Sequence, residues 1–322
     1  MKKINDIVPM RDSMLMEIYN QMKIDSSIFF LTADFGSPVL DKIRQKFSSR
    51  FINVGVAEQN LINISSGLAL EGFKVFCYAI APFITMRCFE QLRINLSLLS
   101  QIRNLNVNLI GVGAGYSYVV SGPTHQCYED ISLIRNLPNF EIYSCSDQNL
   151  SRSIVKQCIS QKSPKYIRLD AQVLPNIRKN INKEVLKKGY EIIKKGEEIL
   201  IISTGFMTHT ALKISKYIYP KYNISIIDLF NLTGFNKSQL SNLIKKYKFL
   251  FTIEEGFINR AGLDSVISEL TYSKDIKINH RSFGVVPSYS FELGTREQLH
   301  KLAKIDFKSI SKKIIGYLES LN

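Results

Sequence analysis

The sequence predicts an α/β protein built from two doubly wound units in series. Short apolar runs rich in Ile, Val, Leu and Phe alternate with longer stretches whose apolar residues recur every three or four positions. That is the pattern of strands buried in a parallel sheet and of the helices that cover it. The alternation is interrupted once, by a polar, basic stretch that follows Asp170 and contains Pro175. A length of 322 residues suits two domains at about 150 residues each. A first unit is therefore expected over 1–175, a linker over 176–189 and a second, smaller unit over 190–322.

In chain order, Met10–Met22 has helical spacing, Ile28–Thr32 reads as a strand and Pro38–Phe47 as a helix. The apolar pair Phe51-Ile52 ends in small residues, after which Leu61, Ile62, Ile64, Leu68 and Leu70 mark a helix. Lys74–Ala79, Val107–Gly111, Phe140–Tyr143 and Tyr166–Leu169 read as strands. Between them, Phe83–Leu99, Tyr128–Arg135 and Asp147–Ser160 read as helices, the last with Ser146 or Asp147 as its cap. The second series places strands at Ile199–Ile202, Ile224–Leu229, Phe249–Ile253 and Ile276–Phe283. Helices are expected at Met207–Tyr217, Lys237–Tyr247 and Leu263–Leu270, and two more helical patterns end the chain.

Composition narrows the function classes. No apolar run approaches the roughly 18 residues of a membrane span, and Met1–Asp6 shows no export signal, so a cytoplasmic location is expected. Five cysteines, Cys77, Cys88, Cys127, Cys145 and Cys158, are odd in number and lack paired C-x-x-C spacing. Reduced thiols in or near the core suit them better than disulfides or zinc. The net charge of +14 arises wholly after residue 150, because the first 150 residues hold 13 basic and 13 acidic side chains. The excess lysines come in scattered pairs such as Lys187-Lys188 and Lys312-Lys313, without a nucleic-acid-binding signature, so they read as a solvated surface.

Chemistry concentrates in Asn53-Val54-Gly55-Val56-Ala57-Glu58-Gln59-Asn60, where a strand meets a helix. A glutamate in a first helical turn complements the helix dipole. Glu58, however, is preceded only by small and apolar residues from Val54 to Ala57. A poorly hydrated carboxyl favours its protonated form, which suits a proton-sharing group. A second candidate is His125 in Ser121-Gly122-Pro123-Thr124-His125-Gln126, between a predicted strand and helix, where open parallel sheets place ligands. A lone histidine is often structural, yet an imidazole in such a turn is available for acid/base work.

The first segment resembles the pyrimidine-binding domain of transketolases and related thiamine diphosphate enzymes. The second half is similar to their C-terminal domain in Ser203-Thr204-Gly205, Ile226–Leu229, Glu254-Glu255-Gly256 and Gly262. The resemblance implies that Glu58 hydrogen-bonds a ring nitrogen of the cofactor aminopyrimidine and so helps to activate the thiazolium carbon. It implies for His125 a place beside the reacting substrate carbon, for Phe83 stacking on the aminopyrimidine, and for Asp34 a position near the cofactor. Phe83 also suits a core residue and Asp34 a turn or cap.

No Gly-Asp-Gly occurs in the sequence, the motif that in this family holds the magnesium ion of the diphosphate. The resemblance therefore implies one subunit of a split transketolase, with the diphosphate/Mg²⁺ domain on a partner and an α₂β₂ assembly as its form. No metal ligands are assigned to this chain. Three departures bear on the substrate. Ser121 stands where the family has a hydroxyl-reading aspartate, Gly113 where it has a histidine, and Ala171-Gln172 where an arginine grips phosphate. Arg168, close in sequence, is the candidate replacement, and with Ser121 and His125 it completes the expected substrate-binding set. The activity implied is transfer of a two-carbon ketol or related acyl unit between small sugar or keto compounds. The alternatives are a β-type subunit of a 2-oxo acid dehydrogenase, which the Gly122–Gln126 motif disfavours, and a catalytically inactive basic scaffold.

Overall fold

The computed structural model describes residues 7–321. Met1–Asp6, on which the export reading rests, and Asn322 lie outside the described residues. Six strands form the first sheet: β1 (Ile28–Thr32), β2 (Phe51–Asn53), β3 (Lys74–Ile80), β4 (Val107–Val112), β5 (Glu141–Ser144) and β6 (Lys165–Leu169). Their order is β2-β1-β3-β4-β6-β5 and every pairing is parallel. Continuous apolar runs give this arrangement because both faces are covered. Along β3, Val75, Cys77 and Ala79 enter one apolar cluster while Phe76 and Tyr78, pointing the other way, enter a second.

The second sheet holds β7 (Tyr190–Lys194), β8 (Ile199–Ser203), β9 (Ile224–Leu229), β10 (Phe249–Phe257) and β11 (Asn279–Val285), in the order β11-β10-β8-β9-β7. It is mixed, since β7 runs antiparallel to β9. One apolar cluster is common to both sheets, joining Leu31, Val75 and Leu109 to Leu200, Ile202 and Ile227. The two sheets also meet edge-on. Ser144 N–H donates to the Phe230 carbonyl and Leu232 N–H to the Ile142 carbonyl, each at 2.8 Å. The segment after β9 thereby closes the outer edge of β5.

Several elements differ from expectation. Phe83–Leu99 is not a regular α-helix: π-helical turns at Phe83–Arg87 and Leu92–Leu98 flank a single α-turn, Phe89–Gln91. Such insertions shift the phase of side chains and favour functional sites. Asp147 does cap its helix, accepting from Leu150 N–H at 2.8 Å, but that helix is interrupted at Ile154. Strand β7 is not predicted by the sequence pattern. The stretch 176–189 contains a helix, Lys183–Lys188, between an Asn182 cap and a left-handed Gly189. All five cysteines are free and buried, and among the described residues no helix is long and apolar enough to cross a membrane.

Candidate active site

Chain order reverses between β1 and β3, since β2 lies on one side of β1 and β3 on the other. Open α/β sheets bind ligands beyond the carboxyl ends of strands at such a point. Asp34 follows β1 there, exposed and with φ of 52°. Its backbone N–H donates to Asn53 Oδ1 at 3.0 Å, and its carboxylate accepts from Asn53 Nδ2 at 3.1 Å. Asn53 Oδ1 also accepts from Gly55 N–H at 3.0 Å. These bonds shape the turn that delivers Glu58 to the first position of the helix Glu58–Leu70.

Glu58 is only 2% exposed, and its Oε2 accepts from Arg87 Nη1 at 2.7 Å. Arg87 is 44% exposed. Its guanidinium carbon lies 4.4 Å from the Phe83 ring centroid, a cation–π distance. Phe83 in turn meets the His125 ring edge-on, at 5.3 Å between centroids and 70° between planes. His125 Nδ1 is 3.0 Å from Thr124 Oγ1. Glu58, Phe83 and His125, far apart in sequence, are thus joined through Arg87 into one continuous group. A buried carboxylate, an aromatic face and an imidazole are thereby brought together.

Arg87 is not among the residues expected at the site, although its spacing of four from Phe83 is close to one helical turn. Tyr118 is a second unexpected member, with its ring 6.3 Å from that of His125. Arg11, half-buried on the first helix, lies close enough to Tyr78 and Tyr118 for its charge to act on both phenols. Ser121 is exposed in the His125 loop, and its carbonyl accepts from Thr124 Oγ1 at 3.5 Å.

The assignment of Arg168 to substrate is corrected by its surroundings. Its side chain is 3% exposed, and its Nε donates to Asp130 Oδ2 at 2.7 Å. Its Nη2 donates to the Glu255 carbonyl at 3.1 Å. The guanidinium is enclosed in the contact between the two sheets and has no exposed face to offer a phosphate. Burial alone would push its pKa down, but Asp130 and neighbouring groups hold it above the ordinary value.

Nearby, Glu255 receives Arg296 and His300, and Arg296 also reaches Asp170 at 2.5 Å. Against the burial that would push it up, Arg296 and His300 hold the Glu255 carboxyl down at about 2. The adjacent Glu254, buried and beside Asp264, is pushed up to about 8. Among the described residues, no group of three or more His, Cys, Asp or Glu side chains is placed to hold a metal ion.

Residues 7–176 match the family model for the pyrimidine binding domain of transketolase, and residues 189–310 that for the transketolase C-terminal domain. The chain belongs to the transketolase family. Among its relatives, an apulose-4-phosphate transketolase subunit from Actinobacillus succinogenes is 30% identical over 268 residues, covering 83% of this chain and 84% of that one. A putative transketolase C-terminal section from Methanocaldococcus jannaschii is 28% identical, with 90% of each chain covered. A solved structure of a split gene transketolase, an inactive beta4 tetramer, shares the fold. Its TM-score is 0.83 at 24% identity, with 95% of this chain and 96% of that one covered. Both transketolase domains of this chain thus have counterparts in proteins of the same extent.

Proposed function

We propose that this chain is one subunit of a two-subunit, thiamine diphosphate-dependent transketolase that moves a two-carbon ketol unit between small sugar or keto substrates. The observation that carries the reading is the junction of Glu58, Phe83 and His125 at the reversal point of the first sheet. The residues fit the implied cofactor. A buried carboxylate beside an aromatic face suits an aminopyrimidine ring, which has a nitrogen to share a proton and a plane to stack. Arg87 is exposed enough to leave Glu58 when another partner arrives.

When bound, thiamine diphosphate supplies the nucleophilic carbon that carries the transferred unit. Glu58 would share a proton with the pyrimidine and Phe83 would orient the ring, while Asp34 with Asn53 fixes the turn that positions Glu58. His125 binds the substrate and exchanges a proton with the oxygen on the reacting carbon. The diphosphate and Mg²⁺ ligands belong to a partner polypeptide, and an α₂β₂ assembly is the symmetric form that presents each site between chains. A divided enzyme is supported by the kinds of relative this chain has: a transketolase subunit, a transketolase C-terminal section and the tetramer from a split gene.

The experiment reconstitutes the chain with its partner and measures ketol transfer together with cofactor binding. Glu58→Gln is expected to stay folded and to keep most cofactor affinity while turnover falls by a factor on the order of 10² or more. His125→Ala is expected to impair the substrate steps instead. Unchanged turnover in folded, cofactor-loaded Glu58→Gln would falsify the role of Glu58.

A further inference from the structure

A cavity of about 550 Å³, within the size range of small-ligand sites, lies among three helical walls. Glu17 of the helix Met10–Ile24 lines one wall, Arg152 and Lys156 of the stretch Gln148–Ser160 a second, and Lys183 and Lys187 of the helix Lys183–Lys188 a third. Lys183 and Lys187 are four positions apart and so share a helix face. Ile181 and Leu186 line the same cavity half-buried and pack on the apolar cluster behind it. None of these residues belongs to the group of Glu58, Phe83 and His125. Four cations thus face a single carboxylate, and Glu17 is engaged in accepting from Gln21 Nε2 at 2.8 Å. Among the described residues Arg152, Lys156, Lys183 and Lys187 form no ion pair, whereas the surface cations Lys221, Lys248 and Lys301 each have a carboxylate partner. A second cavity, of about 590 Å³, also touches Arg152 and adds Lys179, with no carboxylate among the described residues on its walls. Like charges gathered around low-dielectric walls concentrate a positive potential that a bound anion relieves.

We infer that this groove binds a nucleoside di- or triphosphate, its phosphates among Arg152, Lys156, Lys183 and Lys187 and its base on Ile181 and Leu186. Guanidinium and ammonium groups are the side chains that best match phosphate oxygens. The apolar floor calls for a ligand with a weakly hydrated face, which a nucleobase has and an inorganic phosphate or a phosphorylated sugar lacks. Gln157 and Glu17, on the same walls, supply a donor and an acceptor for the edge of the base. The site stands whether or not the chain transfers ketol units.

The test is calorimetry on the full chain with ATP, tripolyphosphate and adenosine as probes, at about 0.1 M salt so that loose surface attraction is screened. ATP is expected to bind saturably and about tenfold more tightly than tripolyphosphate, with adenosine weaker than either. Lys156 and Lys183 are exposed, so their joint replacement, Lys156→Gln with Lys183→Gln, leaves the thermal midpoint unchanged. It should weaken ATP by about tenfold or more, the loss expected for hydrogen bonds to charged groups. Lys245→Gln with Lys246→Gln, an exposed pair outside the groove, should leave ATP within about twofold of the parent. No saturable ATP binding by the parent overturns the inference. So does tripolyphosphate binding as tightly as ATP, which would mark attraction to charge alone, or an equal loss in the two double variants, which would place the binding elsewhere.

Discussion

Glu58 and Glu255 are both buried glutamates, each 2% exposed and each paired with an arginine. They differ in what surrounds the pair. Glu255 holds Arg296 and His300, themselves 6% and 5% exposed, and Arg296 is further bound to Asp170. Every partner there is itself buried. Glu58 has one cation, and that cation stands 44% exposed on a π-helical turn. A buried carboxylate whose partners are all internal serves the fold. One whose partner reaches solvent can exchange it for a ligand.

The largest effect that would break the comparison is expected at Arg296. Arg296→Ala leaves Glu255 and Asp170 buried with a cation removed, and deleting one member of a buried pair costs about 3–5 kcal/mol. Urea unfolding should show a loss of that size or a chain that does not fold. A loss below about 1 kcal/mol, the range of an exposed pair, would erase the distinction between the two glutamates.

The neighbouring pair Glu254 and Glu255 sharpens it through pH. The folded chain holds the Glu254 proton up to about 8 and an unperturbed glutamate releases it at 4.5, so the folded state binds more protons throughout that window. Stability from this group therefore falls as pH rises from 4.5 to 8. Glu255, held down at about 2, acts with the opposite sign: its stabilisation is present above 4.5 and is lost as pH falls from there towards 2. Unfolding midpoints measured at about pH 5, 6.5 and 8 should decline in the parent, and the decline should flatten in Glu254→Gln. An identical slope in both proteins would remove Glu254 as its source.

The smallest effect belongs to Arg87→Gln. The amide can still donate to Glu58, and the lost charge faces water, so a cost of about 0.5–1.5 kcal/mol is expected in the same unfolding assay. A cost matching that of Arg296→Ala would mean that Arg87 is as structural as its buried counterpart.

Much of the fold is legible in the sequence. Ile28–Thr32 and Ile224–Leu229 form strands over the ranges read from their apolar runs, because a buried parallel strand has few polar residues to blur its ends. Strand β7 is not legible: Tyr190-Glu191-Ile192-Ile193-Lys194 is a half-buried edge whose polar residues merge with the basic stretch before it. The π-helical turns are equally hidden, since apolar spacing does not distinguish them from α-turns over so short a span. Glu58, Phe83 and His125 stand out through local motifs, and the structure brings them together. Arg168 misleads because nearness to Ala171 along the chain says nothing of which face a strand residue presents. Its partner Asp130 lies 38 positions away. Arg87 and Tyr118 matter through contacts with distant residues that no local pattern records.

The closure of β5 by residues 230–232 bears on how a gene for such an enzyme could be divided. A strand edge left open is a template for pairing with other chains. A polypeptide ending between the two sheets would be born with β5 unsealed, and until its other half arrived it would tend to join copies of itself. With both sheets on one message, each newly made molecule can seal its own seam.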